Sequence, residues 1–246
     1  MSCLRWILAC GLLMMPAAAM SCETVNYAQA KYTICQVDAA QQDIRLFLND
    51  PEDGTTLGTF GKVDRLLGQS GEKLILAMNA GMYHSDRSPV GHYVEDGQEQ
   101  SPLITADGPG NFGLLPNGVF CVGDGIASVV ESRRFDRERP ACRFATQSGP
   151  MLVIDGALHP RFLEGSDSTF IRNGVGVSQD GKTVWFVISE EPVNFHAFAS
   201  LFLEYLRTPQ ALYFDGNISR LYVRAEGRHD AGFPMGPIVG VVTSDD

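Results

Sequence analysis

Two carboxylates stand directly after apolar runs, where a strand would hold a charged side chain at its end. Ala211–Phe214 ends in Asp215, and the run that begins at Thr183 ends in Glu190. Paired carboxylates act as acid, base or nucleophile in the cleavage of glycosidic bonds. The pair Asp215-Gly216 also favours a tight turn, and at least five similar pairs in the chain are explained as turns alone. A site and a simple turn are therefore both open for Asp215.

An arginine lies inside an apolar, glycine-rich run. Arg172 follows Phe170-Ile171 and precedes Asn173–Val177. A guanidinium in such surroundings costs free energy unless it is paired or binds an anion. Because a guanidinium can hold two oxygens of one anion, we expect Arg172 to bind an anionic group. A structural ion pair is the alternative.

A polar loop follows the apolar run Leu74–Met78. It contains Asn79, Gly81 and Tyr83, and a loop of this composition can bring backbone N–H groups close to a ligand. We expect these three residues to contact a substrate, and a solvated loop is the alternative.

Ser148-Gly149 lies between two extended runs. The G-x-S-x-G turn of hydrolases is not present, because Thr146 stands where its first glycine belongs. A Ser–His–acid triad is therefore disfavoured. We expect Ser148 to donate a hydrogen bond to a ligand, beside Gly149.

The histidines give no sign of a catalytic metal. The five of them form neither H-x-x-x-H nor H-E-x-x-H, so catalytic zinc is not expected. The sequence predicts no cofactor, although a Ca²⁺ ion bound by loop carboxylates stays open.

Length and charge favour one acidic domain. The chain has 246 residues without a repeat or linker, and 26 glycines and 13 prolines favour many short strands. A net charge of −10 disfavours nucleic acid or an anionic membrane as the main partner. An anionic substrate would therefore need a local basic pocket.

The N-terminus predicts a secretory signal over residues 1–19, which leaves 20–246 as the domain. Arg5 precedes the apolar run Trp6–Met15, and Ala17–Ala19 supply the small residues of a cleavage site. Removal of Arg5 takes the net charge from −10 to −11. We expect a periplasmic or secreted protein. A buried N-terminal helix and lipid anchoring at Cys22 are the alternatives.

Four cysteines follow the predicted signal, and an even number suggests disulfides in an exported protein. Sequence separations of 13 and 21 residues favour the pairs Cys22–Cys35 and Cys121–Cys142. The other pairings and free thiols stay open.

Most of the chain predicts short strands separated by turn residues. Nine runs have this pattern: YTICQVD, IRLFLND, KLILAMNAG, PVGHYVEDG, NGVFCVGDG, PMLVIDG, GVGVSQDG, TVWFVISE and ALYFDG. One amphipathic helix is predicted after Asn194 as N-cap, ending before Pro209, and a weaker helix is predicted over residues 62–67. The fold class is therefore α+β, a single strand-rich domain with few helices and one β-α-β unit near residues 183–215.

Five segments occur in an order that resembles the phosphodiester glycosidase family, in its bacterial branch. These segments are MNAGMY, GNFGLLPNGVF, SGPMLVIDG, IRNGVGVSQDG and ALYFDGNISRLY. The resemblance spans nearly the whole chain after the predicted signal. It implies a mixed α+β domain and hydrolysis of an N-acetylglucosamine-1-phosphodiester, which frees the sugar and leaves a phosphomonoester.

The resemblance also carries site residues onto this chain. The family's Asn-Gly-Gly-aromatic loop, its Ser-Gly-Pro, its Arg-x-x-x-Gly strand and its Asp-Gly-Gly-Gly-Ser-Ser segment match the following positions: Asn79, Gly81, Tyr83, Ser148, Gly149, Pro150, Arg172, Gly176, Asp215 and Gly216. Here Ala80, Asn217 and Ile218 replace glycines, so less room is left for backbone to approach a ligand. The sugar that the family is known for is therefore not transferred.

The activity that the resemblance implies is an exported hydrolase that cleaves a glycosyl-1-phosphodiester. Asp215 and Glu190 are the expected catalytic carboxylates. For such a substrate we expect Arg172 to bind the phosphate, with Arg220 as the second candidate. The expected partners are a glycosyl phosphate or an envelope glycan. A non-catalytic carbohydrate- or glycolipid-binding envelope protein on the same fold is the alternative, and a purely structural domain is the third hypothesis.

Overall fold

The computed structural model describes residues 20–216 and 218–245. The predicted signal over residues 1–19 lies outside the described residues, and so does Asn217. Strand and helix bounds below refer to the described part of the chain.

The domain is built mainly from short strands. In chain order these are β1 (Ser21–Tyr27), β2 (Ala30–Asp38), β3 (Asp43–Phe47), β4 (Glu72–Asn79), β5 (Tyr93–Glu95), β6 (Gln98–Ser101), β7 (Gly118–Val122), β8 (Ala127–Glu131), β9 (Phe144–Ser148), β10 (Met151–Ile154), β11 (Ala157–Leu158), β12 (Asn173–Val177), β13 (Thr183–Ser189), β14 (Gln210–Asp215), β15 (Leu221–Val223), β16 (Arg228–His229) and β17 (Ile238–Ser244). All nine predicted strands are confirmed.

Three short α-helices accompany the strands: α1 (Phe60–Gly68), α2 (Ser132–Glu138) and α3 (Phe195–Ser200). The chain continues from α3 into a π-helical segment, Leu201–Tyr205, and a 3₁₀ turn covers Arg224–Glu226. Among the described residues, no helix is long and apolar enough to cross a membrane. The helices at 60–68 and 195–200 were predicted. The sequence analysis missed α2, because this helix has only seven residues, most of them charged, and so shows no helical period of apolar residues.

The strands form three antiparallel sheets. Sheet I has the order β1-β2-β13-β12-β14-β10-β11, sheet II the order β16-β15-β4-β17-β3, and sheet III the order β6-β5-β9-β7-β8. Strand β17 was not predicted, although it pairs with both β3 and β4. Its apolar run, IVGVV, is the signal that could have found it.

The predicted β-α-β unit is confirmed as β13, α3 and β14. In the sheet, strand β12 lies between β13 and β14. Strand β12 pairs antiparallel with β13 and with β14, so β13 and β14 run parallel to each other. Asn173 lies opposite both Ile188 and Asp215. The ends of β13 and β14 are therefore two strand spacings apart, about 10 Å.

Each sheet is covered on both faces. A central core contains side chains of all three sheets, and its members include Val37, Leu76, Phe120, Phe186 and Phe214. The other faces pack against helices: sheet I against α3, sheet II against α1 and sheet III against α2. Because both faces are buried, the strands are continuous apolar runs rather than alternating ones.

Both favoured disulfides are present. Cys22 lies opposite Cys35 in the β1–β2 pair, and Cys121 of β7 is joined to Cys142 just before β9. Disulfides persist in oxidising compartments, so the pairing is consistent with an extracytoplasmic location.

Gly176 of β12 lets the π-helical segment pack directly on sheet I. A Cβ at this position would lie 2.8 Å from both Phe202 and Thr208. We expect Gly176→Ala to lower the free energy of unfolding by about 1–3 kcal/mol, because close-packed neighbours must move. Urea denaturation measures this. Gly68→Ala is the matched control, since a Cβ there meets no atom within 4 Å. It should be neutral or stabilising because alanine favours the helix. An equal loss in both variants would contradict the packing argument.

Candidate functional site

Asp215 combines the two interpretations that the sequence left open. It is the last residue of β14, is 9% exposed, and accepts a hydrogen bond from the backbone N–H of Gly216 at 2.6 Å. Its backbone carbonyl accepts a hydrogen bond from the Ser219 hydroxyl at 2.8 Å. The chain therefore turns at Asp215 and still holds a carboxylate at the end of a buried strand.

Arg172 is buried just before β12, at the same end of sheet I. Its side chain is among the largest that are fully buried, with 1% exposure. The guanidinium donates to the carbonyls of Val193 and Ser168 at 2.8 and 3.0 Å, and to the Tyr213 hydroxyl at 3.3 Å. Burial lowers the pKa of Arg172, and the nearby Tyr213 opposes that change. The ion-pair alternative is not seen: within the described residues, all of these partners are neutral oxygens.

A stack of rings supports the Arg172 guanidinium from one side. Its Cζ lies 3.7 Å from the centre of the Phe195 ring. Phe195 stacks on Phe162 at 4.9 Å, and Phe162 stacks on His159 at 4.7 Å. The faces of aromatic rings attract cations, so the stack offsets part of the cost of burying this charge. Sequence analysis missed Phe162 and His159, which carry no motif.

Tyr213 joins Arg172 to the turn at Asp215. The Tyr213 hydroxyl receives the hydrogen bond from Arg172, and a Cβ on Gly216 would collide with that hydroxyl. Burial raises the pKa of Tyr213 strongly, and the negative charge of Asp215 raises it further. The phenol is therefore subject to opposite electrostatic effects, since the Arg172 guanidinium lowers its pKa and the Asp215 carboxylate raises it.

Tyr83 links this group to the polar loop after β4. Burial raises the pKa of Tyr83, and Asp215 raises it further, while Arg87 and Arg220 oppose the rise. The Arg87 guanidinium lies over the Tyr83 ring at 5.1 Å. Two further cations therefore act on Tyr83 together with the carboxylate. Arg87 was not predicted, and its place in the same polar loop is the signal that could have found it.

The loop over residues 231–236 fixes Arg220. The guanidinium donates to the carbonyl of Phe233 at 2.6 Å. Gly232 has φ +148°, and a Cβ there would collide with the Arg220 guanidinium. A Cβ at Gly236 would lie against the Tyr83 side chain. The loop thus touches both Arg220 and Tyr83.

Asn79 is buried and holds the chain segment that follows Asp215. Its Nδ2 donates to the Ile218 carbonyl at 2.5 Å and to the Asn173 Oδ1 at 3.2 Å. Its Oδ1 accepts from the Arg220 backbone N–H at 2.9 Å and from the Asn173 Nδ2 at 3.0 Å. With four hydrogen bonds to the protein, the Asn79 side chain is committed to positioning this segment.

Ser148, Gly149 and Gly81 lie beneath the same strand end. The Ser148 hydroxyl is fully buried and donates to the Phe214 carbonyl at 2.7 Å. A Cβ at Gly149 would lie 2.6 Å from the Cβ of Asn117, and one at Gly81 would lie 3.0 Å from the Thr146 hydroxyl. These residues pack the backbone on which Asp215 stands.

Glu190 belongs to a separate ion-pair cluster. Its carboxylate accepts from the Arg228 guanidinium at 2.5 Å and from the Thr33 hydroxyl at 2.6 Å. Arg228 also pairs with Asp230 at 3.0 Å. The structure therefore groups Asp215, Arg172, Tyr83 and Arg220, whereas Glu190 is paired with Arg228.

Two other features bear on what the site can hold. Within residues 20–216 and 218–245, no three His, Cys, Asp or Glu side chains are grouped to hold a metal ion. A cavity of about 660 Å³ lies at the opposite end of sheet I, where its lining includes Val177, Asp180 and Gln210. That cavity shares no lining residue with the group around Asp215.

We expect Gly216→Ala to displace the Tyr213 hydroxyl and to lower the free energy of unfolding by about 1–3 kcal/mol. Adding Tyr213→Phe removes the colliding oxygen, so the double variant should recover part of that loss, which a double-mutant cycle in urea measures. Gly108→Ala is the control, since a Cβ there meets no atom within 4 Å. Strict additivity of the two changes would contradict the proposed contact.

The end of the ring stack makes stability depend on pH. Burial lowers the pKa of His159, so the unfolded chain binds the proton more readily than the folded protein does. The stability of the folded protein is therefore full above the unfolded value of about 6.5 and falls as pH drops below it. Relative to the parent protein, His159→Phe should lose less unfolding free energy between about pH 7.5 and about pH 5.5. Replacing the exposed His84 by Gln serves as the control. If His159→Phe loses as much unfolding free energy between these two pH values as the parent protein does, this assignment is contradicted.

Comparisons with known proteins agree with one another. The family described as "Phosphodiester glycosidase" matches residues 72–241. "Uncharacterized protein YigE" of Escherichia coli (strain K12) is 40% identical over 149 residues, which are 61% of this chain and 58% of that protein.

Two solved structures share the fold. The zebrafish N-acetylglucosamine-1-phosphodiester alpha-N-acetylglucosaminidase catalytic domain, auto-inhibited by its pro-peptide, matches with a TM-score of 0.62 and 11% identity. The match covers 91% of this chain and 82% of that one. A hypothetical protein from Synechocystis matches with a TM-score of 0.60 and 12% identity, over 91% and 62% of the two chains.

Proposed function

The chain belongs to the phosphodiester glycosidase family, and we propose on that premise that it hydrolyses the bond between C1 of a sugar and the phosphate of a glycosyl-1-phosphodiester. The site around Asp215 would carry the reaction. Water adds to C1, the bond from C1 to the phosphate oxygen breaks, and a phosphate monoester leaves with the bonding electrons.

The observation that carries this proposal is the buried cation beside a carboxylate. Within the described residues, the hydrogen-bond partners of the Arg172 guanidinium are all neutral oxygens. This is so although the protein as a whole has a net charge of −10. A buried charge without a counter-ion is expensive, and an arriving anion relieves that cost. A phosphodiester is such an anion, and its sugar would lie next to Asp215.

The three arginines would have different roles, because they differ in burial. Arg172 is 1% exposed, so its charge acts on the phosphate from below, through Tyr213. Arg220 and Arg87 are only partly buried, and Arg220 is fixed by the 231–236 loop. We assign direct contact with phosphate to Arg220 and a supporting positive charge to Arg87 and Arg172.

Asp215 would face the sugar. An oxocarbenium-like centre develops positive charge at C1, and a carboxylate fixed at a strand end stabilises it without reorganising. Asp215 also accepts the proton of the attacking water. Tyr83 and Tyr213, both of raised pKa, stay protonated at neutral pH and can donate hydrogen bonds to phosphate oxygens.

One carboxylate is enough for this reaction. Ordinary glycosides need a second carboxyl group to protonate the leaving oxygen. A phosphate monoester leaves without that help, because it is already a stable anion. The pairing of Glu190 with Arg228 fits this view, since that carboxylate is already bound to a cation. Asn79, Ser148, Gly81, Gly149 and Gly216 would shape the backbone around the site.

The activity would operate outside the cytoplasm, in the periplasm or after secretion. The two disulfides support this location. The predicted signal over residues 1–19 would direct the export.

Turnover of synthetic glycosyl-1-phosphodiesters by the purified protein tests the proposal. The parent protein should release a phosphate monoester from at least one sugar of a panel that includes N-acetylglucosamine in both anomeric forms. Asp215→Asn should lower kcat by about 10²- to 10⁴-fold. Arg220→Ala should mainly raise KM, while Glu190→Gln should leave kcat within about threefold of the parent value.

Two results would contradict the proposal. If the parent turns over no sugar above the Asp215→Asn variant but binds on a glycan array, the chain is a carbohydrate-binding protein. If Glu190→Gln loses as much kcat as Asp215→Asn, the reaction needs two carboxylates and the role given to the phosphate leaving group is wrong.

A further inference from the structure

Two exposed phenylalanines lie on the loops that hold the site arginines. The first is Phe170, which is 45% exposed. Its ring centre is 5.4 Å from the Cζ of Arg172, and its Cβ is 3.7 Å from where a Cβ on Gly216 would stand. Phe170 therefore borders both the buried cation and the turn that follows Asp215.

The second is Phe233, which is 79% exposed. Its backbone carbonyl accepts the hydrogen bond from Arg220, so the ring projects from the loop that fixes this guanidinium. The same loop reaches the Tyr83 side chain through Gly236. An apolar ring thus stands directly beside the partly buried cation that we assign to phosphate.

Single exposed apolar side chains are normal on protein surfaces. These two differ because each is joined to an arginine of one site. Leu163, which is 71% exposed, precedes Phe170 on the same loop. Cations bordered by apolar side chains are complementary to an amphiphile, whose anionic group is attached directly to an aliphatic chain.

We infer that the phosphate of the substrate is esterified on its other side to an aliphatic alcohol, whose chain lies on Phe170 and Phe233. This inference rests on the proposed hydrolysis of a glycosyl phosphodiester and adds the class of its leaving group. The sugar points towards Asp215, the phosphate lies at Arg220, and the alkyl chain leaves across the two rings. The leaving group is then an alkyl phosphate.

A matched pair of substrates tests the inference. The methyl and octyl esters of one glycosyl-1-phosphate differ only in the alkyl chain and are used below the concentration at which the octyl ester forms micelles. Each methylene that leaves water can add about fourfold in affinity. We expect the octyl ester to have at least about a tenfold higher kcat/KM, since only part of the chain would be covered.

Phe233→Ala should remove most of this octyl preference and keep the methyl activity, because the Arg220 hydrogen bond uses the backbone carbonyl of residue 233. Phe170→Ala is the second variant, with thermal unfolding to check that it folds. Ile126→Ala is the matched control. Ile126 is 54% exposed and lines the cavity at the other end of sheet I, so its replacement should leave the octyl preference unchanged.

Equal kcat/KM for both esters in the parent protein would overturn the inference while the proposed hydrolysis stands. Calorimetric binding of both esters to Asp215→Asn separates the two proposals further. If the variant binds the octyl ester more tightly and the parent protein shows no turnover, the proposed hydrolysis is contradicted but the apolar subsite is supported. If the variant binds both esters equally and the parent shows no turnover, both proposals are contradicted.

The aliphatic chain has two sources, a soluble alkyl ester or a membrane lipid. A long-chain ester embedded in neutral phosphatidylcholine vesicles distinguishes them. Hydrolysis in vesicles that depends on Phe233 indicates a lipid substrate. Hydrolysis of the octyl ester alone, with the same dependence, indicates a soluble one.

Discussion

The burial of the Arg172 charge is the constraint on which the rest of the site depends. Within the part of the chain that the structure describes, the guanidinium is held by carbonyl oxygens, by the Tyr213 hydroxyl and by the face of Phe195. Phe195 is the first residue of α3, so the helix must begin at that point. Asn194 secures this start with two functions: its Oδ1 caps α3 at the Ala197 N–H, while its Nδ2 donates to loop carbonyls at residues 164 and 166. The start of α3, the loop at residues 164–166 and the position of the Arg172 guanidinium therefore depend on one another.

A second arrangement joins sheet I to sheet II. Asn79 ends β4 in sheet II, Asn173 begins β12 in sheet I, and their side chains exchange hydrogen bonds at 3.0 and 3.2 Å. The Asn79 amide also holds the backbone of Ile218 and Arg220, so residues 218–220 are fixed between the two sheets. Buried amides that are fully hydrogen-bonded favour a single geometry. The backbone that follows Asp215 is therefore held in one position by these amides.

In the proposed function, local charge would give the site its selectivity for anions. The protein as a whole is acidic, and long-range attraction would bring cations rather than phosphates. The local cations Arg87, Arg172 and Arg220 reverse that field over a short distance, because screening and burial confine each charge to its neighbourhood. Glu190, by contrast, is paired with Arg228, a cation that it shares with Asp230. The difference between these two carboxylates lies in their partners, since both follow apolar strands.

Local pattern was sufficient for much of this protein. Turn residues and apolar runs located nine strands, and the period of one run located α3 with its Asn194 cap. The even number of cysteines and their separations of 13 and 21 residues favoured the two disulfides that are present. These features depend on residues close in the chain. Which side chains meet at the site depends on contacts between distant residues: Arg172 with Tyr213, Glu190 with Arg228, and the ring stack of His159 and Phe162 on Phe195. Sequence spacing carries no measure of such contacts. Only the packing of three sheets and α3 decided that, among the described residues, Arg172 is held by neutral oxygens at the strand end that carries Asp215, while Glu190 is paired with Arg228.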